Sequence, residues 1–256
     1  MSMERKIKLS AQNISKTYFS KKGDFDAVED ISLDIYENEF LVILGPGQCG
    51  KSVFLNILSG LEAPTTGRVT IDEEEIKGTT NKIAMVFQRM ALLPWKTALQ
   101  NTEMAPKYRG VSKSKRRETS KAFLKLVGLE GFENSYPRQL SGGMKQRVGI
   151  ARAYNANPEI LLMDEPFGSL DAQTRYQMQE EILRIWEEDR RTVLFVTNNI
   201  EEALYLGDRI VLLSRRPAKV KEVYDLSMMP RPRDNISKIF LELRQKISSN
   251  MDLDLD

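Results

Sequence analysis

The sequence contains no histidine. No imidazole is therefore available as general base, proton shuttle or metal ligand, and any catalysis falls to carboxylates, amides, lysine, arginine and bound metal. Triad hydrolases and most zinc enzymes are excluded. The single cysteine, Cys49, can form neither an internal disulfide nor a zinc site by itself, which fits a reducing compartment. No apolar run approaches the roughly 18 to 20 residues that cross a bilayer, and the opening MSMERKIKLS lacks the apolar stretch of a secretory signal, so a cytosolic chain is expected. A charge imbalance is missing too. With 38 Lys plus Arg against 36 Asp plus Glu, the formal net charge of +2 is no footprint of a nucleic-acid binder, and no nucleic-acid partner is expected. What is present is 256 residues with 41% hydrophobic content, enough to bury one core, or one core with a smaller attached subdomain.

The first third reads as strands at residues 6–15, 28–36 and 40–44, the last an apolar run closed by Gly45 and Pro46. Residues 51–59 carry Val53, Leu55, Ile57 and Leu58 with no breaker before Gly60, which suits a helix. Apolar strands at 159–163 and 192–196 flank a helical stretch at 172–188, so strand and helix alternate as in a parallel sheet. Between about 97 and 156 the texture turns to Lys, Arg, Glu and Leu at helical spacing, predicting a helical insert in an α/β core. From Pro230 the chain reads as an appended amphipathic helix, 236–247, and a frayed MDLDLD tail. There are no internal repeats.

Residues 45–52, GPGQCGKS, satisfy G-x-x-x-x-G-K-[ST] between a strand and a helix. Here Gly45, Pro46, Gly47, Gln48, Cys49 and Gly50 form a loop whose backbone N–H groups, with the helix start, wrap a β-phosphate. Lys51 reaches the β- and γ-oxygens, and the Ser52 hydroxyl ligates Mg²⁺. Cys49 is a small filler in the loop or a reactive thiol. Residues 159–167, EILLMDEPF, end an apolar strand in two carboxylates. Alone such a pair is a solvated turn; with a phosphate cradle in the same chain, Asp164 holds the Mg²⁺ shell and Glu165 orients the attacking water for in-line displacement. Leu140, Ser141, Gly142, Gly143 and Met144 open another helix, either a plain cap or a second anion site.

GPGQCGKS, then Gln88 in MVFQ, then LSGGM, LLMDEP and Ser169-Leu170-Asp171, in this order, resemble the ABC ATPase family over roughly residues 5–225. The resemblance implies an α/β P-loop NTPase cassette with a RecA-like core, an antiparallel β subdomain and an inserted helical subdomain. The expected organisation is an ATPase domain at 1–230, with the helical insert at about 89–157, and a C-terminal helix and tail at 231–256. It further implies a head-to-tail dimer, with a second copy or a paralogous subunit. Each ATP then lies between the cradle of one subunit, including Val53, and Ser141, Gly142 and Gly143 of the other. Gln88 would touch Mg²⁺ and the attacking water, Asp171 would cross the dimer interface, and Tyr18 would stack on adenine unless it is a core aromatic. Leu92, Leu93, Pro94 and Trp95 either pack within the insert or form the groove that receives a coupling helix of a membrane permease. With LQN following, this segment resembles the importer branch for nitrate, sulfonate, taurine and bicarbonate, in which a solute-binding protein is an indirect partner and the ATPase sits on the inner face of the membrane.

The chain departs from the family pattern in its phosphate-facing residues. Asn198 stands where a histidine usually contacts the γ-phosphate; its amide still donates a hydrogen bond but is never cationic, so slow hydrolysis is expected. Gln48 replaces a glycine in a tight loop, and Val53 removes a hydroxyl near the α-phosphate. These departures leave open a second reading, an ATP-binding regulatory or structural partner subunit impaired in hydrolysis.

Overall fold

The computed structural model describes residues 5–21, 23–88, 91–168 and 170–252. Ser169 of the SLD motif, Arg89 at the start of the expected insert and the last residues of the tail lie outside them. The chain divides into two compact units, Met1–Thr80 with Thr192–Asp256, and Asn81–Arg191.

The first unit opens with β1 (Ile7–Tyr18) and β2 (Phe25–Tyr36), followed by β3 (Phe40–Leu44), α1 (Lys51–Leu58), β4 (Thr66–Ile71) and β5 (Glu74–Glu75). β1 and β2 pair antiparallel with Leu9 opposite Ile35, and Leu9, Ile14, Ile31 and Ile35 are fully buried. β4 takes the other edge of β1, giving the order β2-β1-β4-β5. β1 runs on past the expected Ser15 because Lys16, Thr17 and Tyr18 keep their partners Val28, Asp26 and Phe25 across the ladder, a pairing that side-chain alternation does not reveal.

In the second unit, β6 (Ile83–Val86) is followed by α2 (Ala98–Thr102), α3 (Met104–Tyr108), α4 (Lys113–Leu126), a 3₁₀ turn (Pro137–Gln139) and α5 (Gly142–Asn155). β7 (Ile160–Asp164) and α6 (Ala172–Glu188) close it. The helices α2, α4 and α5 pack on one another around buried Leu99, Leu124, Val148 and Tyr154. A polar tie crosses that packing: the buried Asn155 amide donates to Thr102 O at 2.9 Å and Ser120 Oγ at 2.8 Å. Each partner is satisfied, so the tie fixes the helices' register without leaving a desolvated orphan. β6 and β7 pair in parallel, with Val86 opposite Met163.

The chain returns to the first unit as β8 (Thr192–Thr197), α7 (Ile200–Leu206), β9 (Arg209–Leu213), β10 (Val220–Asp225) and α8 (Lys238–Asp252). Here the strand order is β10-β9-β3-β8, with β3 parallel to both neighbours. Every residue of β3 and β8 is buried, as a parallel sheet covered on both faces demands. At about 1.5–3 kcal/mol for each large apolar side chain removed from water, this burial anchors the strands beneath the loops that follow. Leu44 stands opposite Thr197 on one side and Leu212 on the other, so the three strands end level. Among the described residues no helix is long and apolar enough to cross a membrane.

Candidate functional site

The cradle grows from the level strand ends. After Leu44 the loop turns through Gly50, whose φ of 120° is open to glycine; a Cβ there would lie 2.4 Å from Ala27 O. A Cβ on Gly47 would meet nothing within 4 Å, so the loop's outer face is open to a ligand. Lys51 begins α1 and is nearly buried; its Nζ donates to Gly45 O at 2.9 Å and Pro46 O at 2.7 Å, folding the cation back over the loop. Gly50 supplies no side-chain cap to α1, and Ser52 beside it is exposed. Cys49 is buried inside the loop, which fits the filler reading rather than an exposed thiol. Gln48 sits at φ 62°, in the left-handed region, at roughly 1–2 kcal/mol for a side chain with a Cβ. Val53 is half-buried on the first turn of α1.

A cleft of 510 Å³ opens on this loop, lined by Pro46, Gly47, Gln48, Cys49, Arg215 and Arg216. The two arginines follow β9, whose Leu212 is level with Leu44, and they bring positive charge to the cradle. No sequence motif singles them out, although the apolar run ending in Ser-Arg-Arg-Pro has the same strand-then-polar pattern as the other strand ends. The Arg216 guanidinium lies 3.8 Å over the Phe25 ring, and Phe25 is 6.1 Å from Tyr18 in a tilted pair. Tyr18 is 37% exposed, and burial, with the hydrogen bond and charge of Glu62, pushes its phenol up to about 12. It is therefore a partly open aromatic face at the end of β1 rather than a core residue.

Asn198 follows β8, one residue past Thr197, and is exposed beside the strand end that launches the cradle. Asn199 caps α7 by accepting from Glu202 N at 3.0 Å, and Thr197 Oγ1 donates to the buried Glu202 carboxylate at 2.6 Å.

The second unit holds the carboxylates and the helix that opens on Gly142 and Gly143. Because Val86 pairs with Met163, the residues just past both strands come together: Gln88 Nε2 donates to Glu165 Oε2 at 3.3 Å. Asp164 and Glu165 are half-buried, and Glu165 has φ 40°, a strained backbone of the kind that accumulates at functional positions. Ser141 caps α5, accepting from Met144 N at 3.2 Å, with Leu140 buried behind it and Ser141 and Gly142 exposed. A Cβ on Gly143 would lie 2.9 Å from Thr174 Cγ2, so glycine lets α6 approach the start of α5. Asp171 caps α6, and hydrogen bonds from the Thr174 N–H and hydroxyl hold its carboxyl below the usual range.

Trp95 is 68% exposed and Pro94 is exposed, while Leu92 and Leu93 are half-buried. The buried Asn101 props this turn, accepting from Leu93 N at 2.8 Å and donating to Lys96 O at 3.0 Å. A groove of 310 Å³ begins at Lys96 and Thr97 and runs to Tyr108 and Arg117.

Ser52, Gln88 and Asp164 are all oxygen donors. Among the described residues no group of three or more acidic or thiol side chains forms a ready-made metal cage. One carboxylate with a hydroxyl and an amide suits Mg²⁺, which is held through few protein ligands plus substrate phosphates.

The ABC transporter family model matches residues 28–168. The chain is 48% identical to an uncharacterized ABC transporter ATP-binding protein of Methanocaldococcus jannaschii, covering 94% of this chain and 90% of that one. It is 44% identical to a nitrate import ATP-binding protein of Synechococcus elongatus (86% and 81%) and 41% identical to an aliphatic sulfonates import ATP-binding protein of Bacillus cereus (93% and 94%). Among solved structures, a dimeric ATP-binding cassette in a post-hydrolysis state with ADP and Pi is 38% identical, with a TM-score of 0.76 over 85% of this chain and 98% of that one. The ordered motifs, the cassette fold and these relatives together make the chain a member of the ABC transporter family of ATP-binding cassettes.

Proposed function

We propose that this chain binds and hydrolyses ATP to energise uptake of a small anionic solute, of the nitrate or sulfonate class, through a separate membrane permease. The observation that carries the reading is the Gln88–Glu165 pair beside Asp164. With its amide nitrogen engaged by Glu165, Gln88 presents its carbonyl oxygen to Mg²⁺ or to the attacking water. Glu165 accepts that water's proton and aligns it on the γ-phosphate. Lys51 leaves its loop carbonyls for the β- and γ-oxygens, the loop N–H groups hold the β-phosphate, and Tyr18 covers the adenine. Mg²⁺, held by Ser52, Asp164 and Gln88, would neutralise charge building on the phosphates.

Ser141 and Gly142, exposed at the start of α5, grip the same triphosphate from a second subunit, and Asp171 faces that subunit. ATP is then part of the interface, so binding closes the dimer and hydrolysis releases it. The solvent-facing Trp95 turn, propped by Asn101, takes a coupling segment of the permease, which places the protein on the cytoplasmic face of the membrane with a solute-binding protein as indirect partner. Relatives named for nitrate and sulfonate import support the cargo class. The test is steady-state phosphate release with the permease in proteoliposomes: turnover that disappears in Glu165→Gln supports the reading.

A second reading, a hydrolysis-impaired partner subunit, draws on Gln48 at φ 62° and on Asn198. ATP binding with no turnover in the assembled transporter selects it.

A further inference from the structure

α7 links the end of β8 to β9, and Asn198 stands at its amino end. It is seven residues long, about two turns, too short to be stable on its own. Its carboxyl end lacks the usual left-handed closure: Gly207 is extended (φ −75°, ψ 142°), and its N–H reaches Ala203 O alone. The carbonyls that such a terminus leaves exposed are taken by arginines from the segment after β10. Arg233, 5% exposed, donates from Nη1 to Leu204 O at 2.8 Å, Gly207 O at 2.6 Å and Tyr205 O at 3.4 Å, and from Nη2 to Leu226 O at 3.0 Å. Burial pulls its guanidinium down to about 10, so it is still a cation at neutral pH, and a cation at a helix carboxyl end opposes the helix dipole. Arg231 donates to Leu206 O and pairs with Asp208 at 2.9 Å.

The same segment reaches the amino end of α7 through α8. Buried Phe240 and Ile247 anchor α8, and Lys246 pairs with Glu222 of β10 at 2.9 Å. From that base Arg244 meets Glu201, in the first turn of α7, at 3.1 Å. A cleft of 690 Å³ separates the two helices, with Asn198 and Asn199 on one wall and Leu241, Arg244 and Ser248 on the other.

We propose that the segment after β10 is a clamp on the loop carrying Asn198, with Arg233 as its positioning residue and Arg244 as a brace on the first turn of α7. Arg233 acts through the backbone carbonyls of α7: it sets where Asn198 stands by holding the far end of the short helix between them. The consequence for turnover rests on the ATPase reading above, whereas the clamp itself is a statement about α7.

The experiment is hydrogen–deuterium exchange on the full chain, read together with ATPase kinetics, for wild type, Arg233→Ala, Arg233→Lys and Arg244→Ala. In Arg233→Ala, exchange over residues 199–206 rises about tenfold while β3, β8 and β9 stay protected, a local opening rather than a global one. There kcat falls about tenfold and KM for ATP stays within about twofold, as for loss of a transition-state contact. Arg233→Lys, which keeps the charge but has one head group for several carbonyls, falls between. Arg244→Ala alters an exposed pair and leaves the fold intact, so it decides the matter if Arg233→Ala does not fold: exchange over 200–203 rises about threefold. Unchanged exchange over α7 in the folded variants overturns the proposal, as does a rise shared equally by β3 and β9, or raised exchange with kcat unchanged. A wild type without turnover contradicts the ATPase reading alone, and the exchange pattern then decides the clamp.

Discussion

The two units each carry half of the proposed nucleotide chemistry, and the halves differ in how closely they keep to the family pattern. In the second unit Gln88, Asp164, Glu165 and the Leu140-to-Met144 motif are all present, with Gln88 already hydrogen-bonded to Glu165 and Ser141 already capping α5. In the first unit the cradle keeps Lys51 and Ser52 but carries Gln48 at a left-handed φ, and Asn198 stands at the neighbouring strand end. On the proposed reading, the half assigned to water activation is intact, and the half assigned to gripping the phosphates is altered. On that reading, hydrolysis is expected to be slow but still dependent on Glu165.

The sharpest way to break the comparison is Glu165→Gln, which removes the proton acceptor and should lower phosphate release about a thousandfold while ATP still binds. Equal turnover would mean that the intact half is not the engine. Next, Lys51→Ala deletes the cation proposed to reach the β- and γ-phosphates and should weaken binding of a fluorescent ATP analogue roughly a hundredfold, the loss of a charge-assisted contact of about 3 kcal/mol. Asn198→His supplies an imidazole donor that can take up charge and should raise kcat about tenfold with little change in KM. An unchanged kcat would remove Asn198 from the account. Gln48→Gly relieves the left-handed side chain and should stabilise the fold by about 1 kcal/mol in urea denaturation, with tighter nucleotide binding. The smallest effect concerns Tyr18. Its folded-state pKa is raised, so its contribution to stability is complete below pH about 10, the ordinary phenol value, and is lost as pH rises through about 12. Tyr18→Phe should flatten that alkaline loss, and ultraviolet titration of the phenol checks it.

Much of this was legible from residue patterns. The strand at 40–44 and the helix at 172–188 have the bounds their patterns predict, because an apolar run closed by Gly-Pro and a long amphipathic repeat leave little alternative. β4 and β5 escaped notice because TGRVTI buries only Val69 and Ile71 and Glu74–Glu75 is wholly polar. β9, an apolar RIVLL, and α7 carried signals, but seven residues give too little periodicity to separate a helix from a strand. The family was readable because its ordered motifs restrict residue type at each position. Arg233 was not, since its partners are backbone carbonyls about twenty-five to thirty residues earlier, which any sequence supplies. Likewise Arg215 and Arg216 come to line the cleft on the 45–50 loop only once β9 is placed beside β3.

Sedimentation velocity of the Glu165→Gln protein, with and without MgATP, tests most directly whether one triphosphate is held by the cradle of one subunit and the Ser141 helix start of another. The account predicts a monomer that becomes a dimer only with MgATP, and a monomer throughout when Ser141→Arg is added. A monomer at saturating ATP, or a dimer that ignores both nucleotide and Ser141→Arg, would contradict it.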